Sequence, residues 1–152
     1  MPPGTYRPMK KQLYYEDIAV GSEIPPLVKK PTTDQLVRWG EVSGDNNPIH
    51  FDKDFARSRG LPGVIVQGQL AFSFLAQLLS DWTGEQGVLQ KLNCSYKGMN
   101  FPEETLTCRG KVIKQYTMAD KYYIDCSLWA ENPRGEKTLS GTATVALPHR
   151  KQ

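Results

Sequence analysis

Asp45, Asn47 and His50 are the residues whose types and spacing can do chemistry. They lie in the stretch SGDNNPIHFD, residues 43–52, around Pro48. A carboxylate and an imidazole five residues apart, across a loop stiffened by proline, can face one small site. With a reference imidazole pKa of roughly 6.5, such a pair takes and gives protons near neutral pH. The same residues also suit an ordinary polar turn, because Asp and Asn before Pro are turn formers. Ser43 is close by, but no nucleophile elbow or triad pattern surrounds it. That favours activation of water over a covalent intermediate. Gly68 is a further candidate, since it opens a long apolar segment. A backbone N–H at a helix start stabilises negative charge, and glycine lets a ligand approach the backbone closely. The plain alternative for Gly68 is a loop-to-helix transition.

These groups need elements to hold them. In PTTDQLVRWGEVSG, Thr32 and Gln35 have capping-box spacing, and Leu36, Trp39 and Val42 suggest one apolar face. The segment reads as a short helix that runs out at Gly40 and Gly44, where the polar loop begins. After the loop, QGQLAFSFLAQLLSDWTG repeats apolar residues at helical spacing: Leu70, Ala71, Phe74, Leu75, Leu78 and Leu79, with Phe72 and Ala76 on the other side. A helix apolar nearly all round is expected at the centre of the molecule, with Trp82 as a core residue near its end. Upstream, LYYEDIAVGSEIPPL reads as an opening strand and turn, broken at Gly21 and Pro25-Pro26. Downstream, apolar residues alternate with period two: Leu92, Cys94 and Tyr96; Leu106, Cys108 and Val112; Tyr122 to Ala130; and Leu139, Ala143, Val145 and Leu147. TMAD and ENPRGE suit hairpin turns between them. One apolar helix with a run of antiparallel strands predicts an α+β fold, the sheet wrapped round the helix.

The bulk numbers set limits. The 152 residues suit one domain, with 39% hydrophobic and 23% charged residues, which argues against disorder. We take residues 1–12, rich in Pro and Lys, as a flexible arm and 13–152 as a single domain. A net charge of +3 with scattered basic residues and no nucleic-acid motif predicts no nucleic-acid partner. Cys94, Cys108 and Cys126 form no C-x-x-C pair and read as small buried hydrophobes in a reducing compartment. Without a secretory leader pattern or an apolar run of membrane-spanning length, the expected place is the cytoplasm, with no membrane contact.

The stretch EVSGDNNPIHFDKDFA resembles the signature of the MaoC-like, or (R)-specific enoyl-CoA hydratase, family: a small residue, G-D-x-N-P-aliphatic-H, an acidic residue and an Ala. Here these are Ser43, Gly44, Asp45, Asn47, Pro48, Ile49, His50, Asp52 and Ala56. YYEDIAVGSEI and LPGVIVQGQL are similar to the family's opening strand and its lead into the central helix, so the hallmarks span roughly residues 14–80. The resemblance implies a hotdog fold, a curved antiparallel sheet around one long helix. It implies a dimer whose sheets join edge to edge, with acyl-thioester tunnels near the interface. It makes Asp45 and His50 the catalytic pair holding one water, Asn47 an orienting residue, and Gly68 the donor of an oxyanion N–H. The implied reaction is reversible syn hydration of a trans-2-enoyl thioester, of CoA or acyl-carrier protein, to an (R)-3-hydroxyacyl product. No metal or redox cofactor is needed, because the thioester itself acidifies C2. The chain departs at Gln67, where family members often carry His. An amide can still hydrogen-bond to substrate there but cannot titrate. LSDWTGEQGVLQKLNCSYKGMNFPEETLTCRGKV also resembles a branch of dehydratase subunits acting on bulky acyl-CoA, including steroid side chains, some of them heteromers with a related, catalytically silent subunit. Two alternatives are a hotdog acyl-CoA thioesterase and a non-catalytic acyl-binding subunit of a heteromeric dehydratase. Loss of Asp45 or His50 would mark the latter, and both are present.

Overall fold

A computed structural model describes residues 11–150. Five strands form one antiparallel sheet: β1 (Glu23–Lys29), β2 (Val88–Tyr96), β3 (Leu106–Met118), β4 (Lys121–Glu131) and β5 (Lys137–Leu147), in the spatial order β1-β3-β4-β5-β2. Between β1 and β2 the chain makes three helices, α1 (Thr33–Ser43), α2 (Lys53–Ser58) and α3 (Gly68–Thr83). The register slips at Ile24/Leu27, Leu89/Lys91, Val112/Lys114 and Ala130/Glu131. Each slip bends its strand and adds twist, so the sheet curls. α3 packs against β1, β2, β3 and β4, inside the curl. This is the wrapped-helix α+β arrangement that the helical and period-two patterns predict.

The core is the meeting of those two patterns. Leu70, Ala71, Phe74, Leu75, Leu78 and Leu79 of α3 are buried against Cys108 and Val112 of β3, Ile124, Cys126, Leu128 and Ala130 of β4, and Leu139, Ala143 and Val145 of β5. Phe72 and Ala76 are only half-buried, so one stripe of α3 is less covered than its apolar composition suggests. Cys108 and Cys126 are free and fully buried, and desolvation pushes both thiols up to about 12. Trp82 packs against the core, as expected of a helix-end residue. Among the described residues no helix is long and apolar enough to cross a membrane.

Several local expectations differ. Tyr15–Asp17 is a 3-10 turn and not a strand. The Tyr14 N–H donates to Asp17 Oδ2 at 3.0 Å, and the Asp17 N–H donates back to the Tyr14 carbonyl at 2.9 Å. This local side-chain closure outcompetes the strand preference of two tyrosines. Pro25 and Pro26 do not end the first strand but lie inside it, at its bulge. Only an edge strand tolerates them, and β1 is an edge. Val42 is 87% exposed, because the inward face of α1 runs from Leu36 to Gly40, four residues on, and not six. Cys94 is half-buried, since β2 is the other edge of the sheet. The turns at 117–120 and 131–136 join β3 to β4 and β4 to β5. In the first, Ala119 and Asp120 both take positive φ (51° and 62°), the geometry of a tight hairpin.

Residues 1–10 of the expected arm lie outside the described residues. Its last residue, Gln12, is tied to the end of α3: its amide donates to the Thr83 carbonyl at 2.7 Å and accepts from the Gln86 N–H at 2.8 Å. At the far end, Arg150 donates to Asp17 and holds that carboxyl below the usual range.

Candidate active site

The polar loop is built from local side-chain caps. Thr32 Oγ1 accepts from the Gln35 N–H at 3.0 Å and starts α1. Gly44 ends it in the left-handed region, φ 79°, its N–H on the Gly40 carbonyl at 3.0 Å. Asp45 Oδ1 then accepts from the Asn47 N–H at 3.2 Å, and Asn47 Oδ1 from the Ile49 N–H at 3.3 Å. Pro48–His50 forms a 3-10 turn. Asp52 Oδ1 accepts from the Phe55 N–H at 3.0 Å and starts α2. Asn47 and Asp52 are therefore caps that shape the loop. Asp45 divides its two oxygens, one for the loop and one turned to His50.

The loop lies tight against α1. A Cβ on Gly40 would stand 2.8 Å from the Phe51 ring and 2.9 Å from the Asp45 carbonyl oxygen. Gly40→Ala is expected to push the loop off α1 and to cost about 1–3 kcal/mol in thermal or denaturant unfolding. The Asp45–His50 spacing should change with it, because Asp45 is among the residues displaced.

His50 is 7% exposed and Asp45 38%. The His50 Nδ1–H donates to the Ile65 carbonyl at 2.7 Å. A carbonyl only accepts, so the proton sits on Nδ1, and in the neutral ring Nε2 carries the lone pair. Nε2 lies 3.4 Å from Asp45 Oδ2, longer than the roughly 2.7–2.9 Å of a closed charge-assisted bond. The pair keeps capacity for a third partner between a base and an acceptor, the requirement for holding one water.

The segment after Ile65 joins this pair to α3. The Ile65 N–H donates to the Ile49 carbonyl at 3.1 Å, and the Val66 N–H to the Asn100 carbonyl at 2.8 Å. Ile65 thus grips the His50 turn from both its N–H and its C=O. Gly68 follows three residues on, within about 10 Å of chain. Gly68 is exposed and is the first residue of α3, where helix N–H groups have no partner within the helix. The spacing between imidazole and helix start is held by hydrogen bonds, a link that no sequence motif displays.

Gln67 does not stand where the sequence places it. Its side chain is fully buried, and its amide donates to the Leu36 carbonyl at 2.7 Å. It ties α1 to the start of α3 and presents no donor to a substrate. Its Oε1 has no partner among the described residues. A cleft of about 520 Å³ opens near the loop, lined by Phe51, Lys53, Val64 and Phe101 among others, but neither Asp45 nor His50 lines it.

Comparisons with known proteins bear on the family and the fold. The MaoC like domain family matches residues 18–122. The solved (R)-hydratase of A. caviae, described as involved in PHA biosynthesis, superposes with a TM-score of 0.80 at 25% identity, over 88% of this chain and 99% of that one. The mitochondrial 3-hydroxyacyl-[acyl-carrier-protein] dehydratase of Arabidopsis thaliana is 26% identical over 120 residues, 78% of this chain and 71% of its own length. The fatty acid synthase beta subunit TOXC of Cochliobolus carbonum is 33% identical over 109 residues, 70% of this chain, yet the match spans only 5% of that much longer protein. With the matched segment running from before β1 into β4 and the curled sheet around α3, this chain belongs to the MaoC-like family of hydratases and dehydratases and has its hotdog fold.

Proposed function

We propose that this chain catalyses reversible hydration of a trans-2-enoyl thioester, with Asp45 and His50 as the acid–base pair and Gly68 as the oxyanion donor. The observation that carries the reading is the half-buried Asp45–His50 pair, with Nδ1 committed to Ile65 and Nε2 left facing the carboxylate at 3.4 Å. In the hydration direction, a water held between the two groups gives a proton to His50 Nε2 while its oxygen bonds to C3. The π electrons move through C2 onto the thioester oxygen, where the Gly68 N–H stabilises the charge. C2 is then protonated from the same pair, on the face the oxygen entered, giving the (R)-3-hydroxyacyl thioester. Dehydration is the same path reversed. Asn47 serves by fixing the loop.

The acyl carrier is CoA or acyl-carrier protein, and the half-covered stripe of α3 at Phe72 and Ala76 leaves room for a bulky or long chain. We place the partner at β2, an edge strand with Val88 52% and Leu89 39% exposed, which suits pairing with a second copy or a related hotdog subunit. Free thiols and the lack of a membrane-crossing helix among the described residues suit a cytoplasmic protein. The test is an assay over enoyl thioesters of increasing chain length, followed by loss of absorbance of the conjugated thioester and chiral analysis of the product. Saturable loss with an (R)-3-hydroxyacyl product supports the proposal. Release of free thiol without that loss supports a thioesterase instead.

A further inference from the structure

Gly68 is required by something other than its backbone. Its φ does not fall in the left-handed region, so any residue can adopt it. At a helix start Ala would serve as well or better by propensity. What excludes a side chain is Tyr96, at the end of β2. A Cβ on Gly68 would meet two carbons of the Tyr96 ring at 3.1 and 3.2 Å, and the phenol oxygen at 3.5 Å. The hydroxyl end of the ring therefore lies against the exposed residue that presents the first N–H of α3. Core packing does not explain its position, because Tyr96 is 54% exposed.

The phenol brings chemistry that a plain aromatic wall would not. Its hydroxyl would stand 3.5 Å from a Cβ on Gly68, so it lies beside the exposed start of α3, the place where the proposed reaction gathers charge. The hydroxyl is a donor as long as it keeps its proton. Desolvation raises its pKa above the ordinary tyrosine value, and so do the charge and the hydrogen bond of the Cys94 side chain two residues back. It is therefore neutral and able to donate across the neutral range. Burial likewise raises the Cys94 pKa, so the side chain hydrogen-bonded to the phenol is a neutral thiol, whose S–H can donate to the phenol oxygen and leave the O–H for another acceptor.

We propose that Tyr96 is a further catalytic residue, its phenol O–H donating a second hydrogen bond to the thioester oxygen beside the Gly68 N–H. This rests on the hydration reading above and adds a residue to that site. It also explains the glycine: the helix start is kept bare so that a donor from the sheet edge can reach the same oxygen as the helix N–H. The bond forms as negative charge develops, so it acts more on the transition state than on the bound substrate.

The test is Tyr96→Phe, which keeps the ring on Gly68 and removes only the hydroxyl. The expected result is a fall in kcat of about tenfold or more with KM changed by less than about twofold. A second readout uses an aryl-enoyl thioester such as cinnamoyl-CoA, whose absorbance shifts to the red when its carbonyl accepts hydrogen bonds. The wild-type protein should shift the bound probe, and Tyr96→Phe should shift it less. A purely structural ring predicts wild-type kcat and the full shift in Tyr96→Phe, and that result overturns the assignment while leaving the hydratase reading intact. A wild-type protein that binds the probe yet hydrates no enoyl thioester overturns the parent reading, and this one with it.

Discussion

Replacing Asp45 by Asn is expected to lower enoyl-thioester hydration at least about a hundredfold, with the fold retained. The substitution is close to isosteric. The loop cap survives, because Asn keeps an oxygen to accept from the Asn47 N–H, the bond that Asp45 Oδ1 makes at 3.2 Å. What changes is the group facing His50. Where Oδ2 stood 3.4 Å from Nε2, an amide NH2 now donates to the imidazole lone pair. The base is occupied and the carboxylate is gone, so water is neither held nor deprotonated. His50→Ala should lose activity to the same order by removing the base itself. It also strips the donor from the Ile65 carbonyl, which the ring holds at 2.7 Å, so its thermal midpoint should fall slightly more than that of Asp45→Asn. Hydration rates beside far-ultraviolet circular dichroism check both variants. Full activity in the two would remove Asp45 and His50 from the reaction.

The largest effect on stability is expected at Gly141. It lies in β5 between two strands, opposite Cys94 of β2 on one side and Leu128 of β4 on the other. A Cβ there would sit 1.9 Å from the Asn93 carbonyl oxygen and 2.8 Å from the Cys94 Cα. Both are backbone atoms, so no rotamer change relieves the clash, and β2 must move away from β5. Gly141→Ala is therefore expected to destabilise by about 3 kcal/mol or more. For a chain of this length, that lowers the thermal midpoint by about 10 °C. Calorimetry or a circular-dichroism melt measures it. Because β2 carries Tyr96 at its end, the surviving folded fraction should also be less active, which links the edge of the sheet to the site.

What the sequence made legible was local. The caps of Thr32, Asn47 and Asp52 act within three residues of themselves, and α3 repeats its leucines at helical spacing. The meeting of Asp45 and His50 at 3.4 Å was legible for the same reason, since they share one short loop. Where the reading failed, the deciding neighbour was distant. Pro25 and Pro26 look like strand breakers until β1 is known to be an edge, and Cys94 looks buried until β2 is known to be the other. Gln67 looked like a donor for substrate, and the Leu36 carbonyl that claims it is thirty-one residues away. The Ile65 carbonyl that sets the His50 tautomer is a backbone atom, to which no residue type points. Tyr96 was legible only as one member of a period-two series, and its contact with Gly68 comes from the fold.

Water is expected to add at C3 and not at the thioester carbonyl. The most direct measurement follows the oxygen. The protein is incubated with a trans-2-enoyl thioester in H2¹⁸O, and the products are separated and weighed by mass spectrometry. The account predicts ¹⁸O in the C3 hydroxyl of an intact (R)-3-hydroxyacyl thioester, formed by the wild-type protein and nearly absent with Asp45→Asn. Label in the carboxylate of a free acid, with the thiol released and the double bond intact, would contradict it.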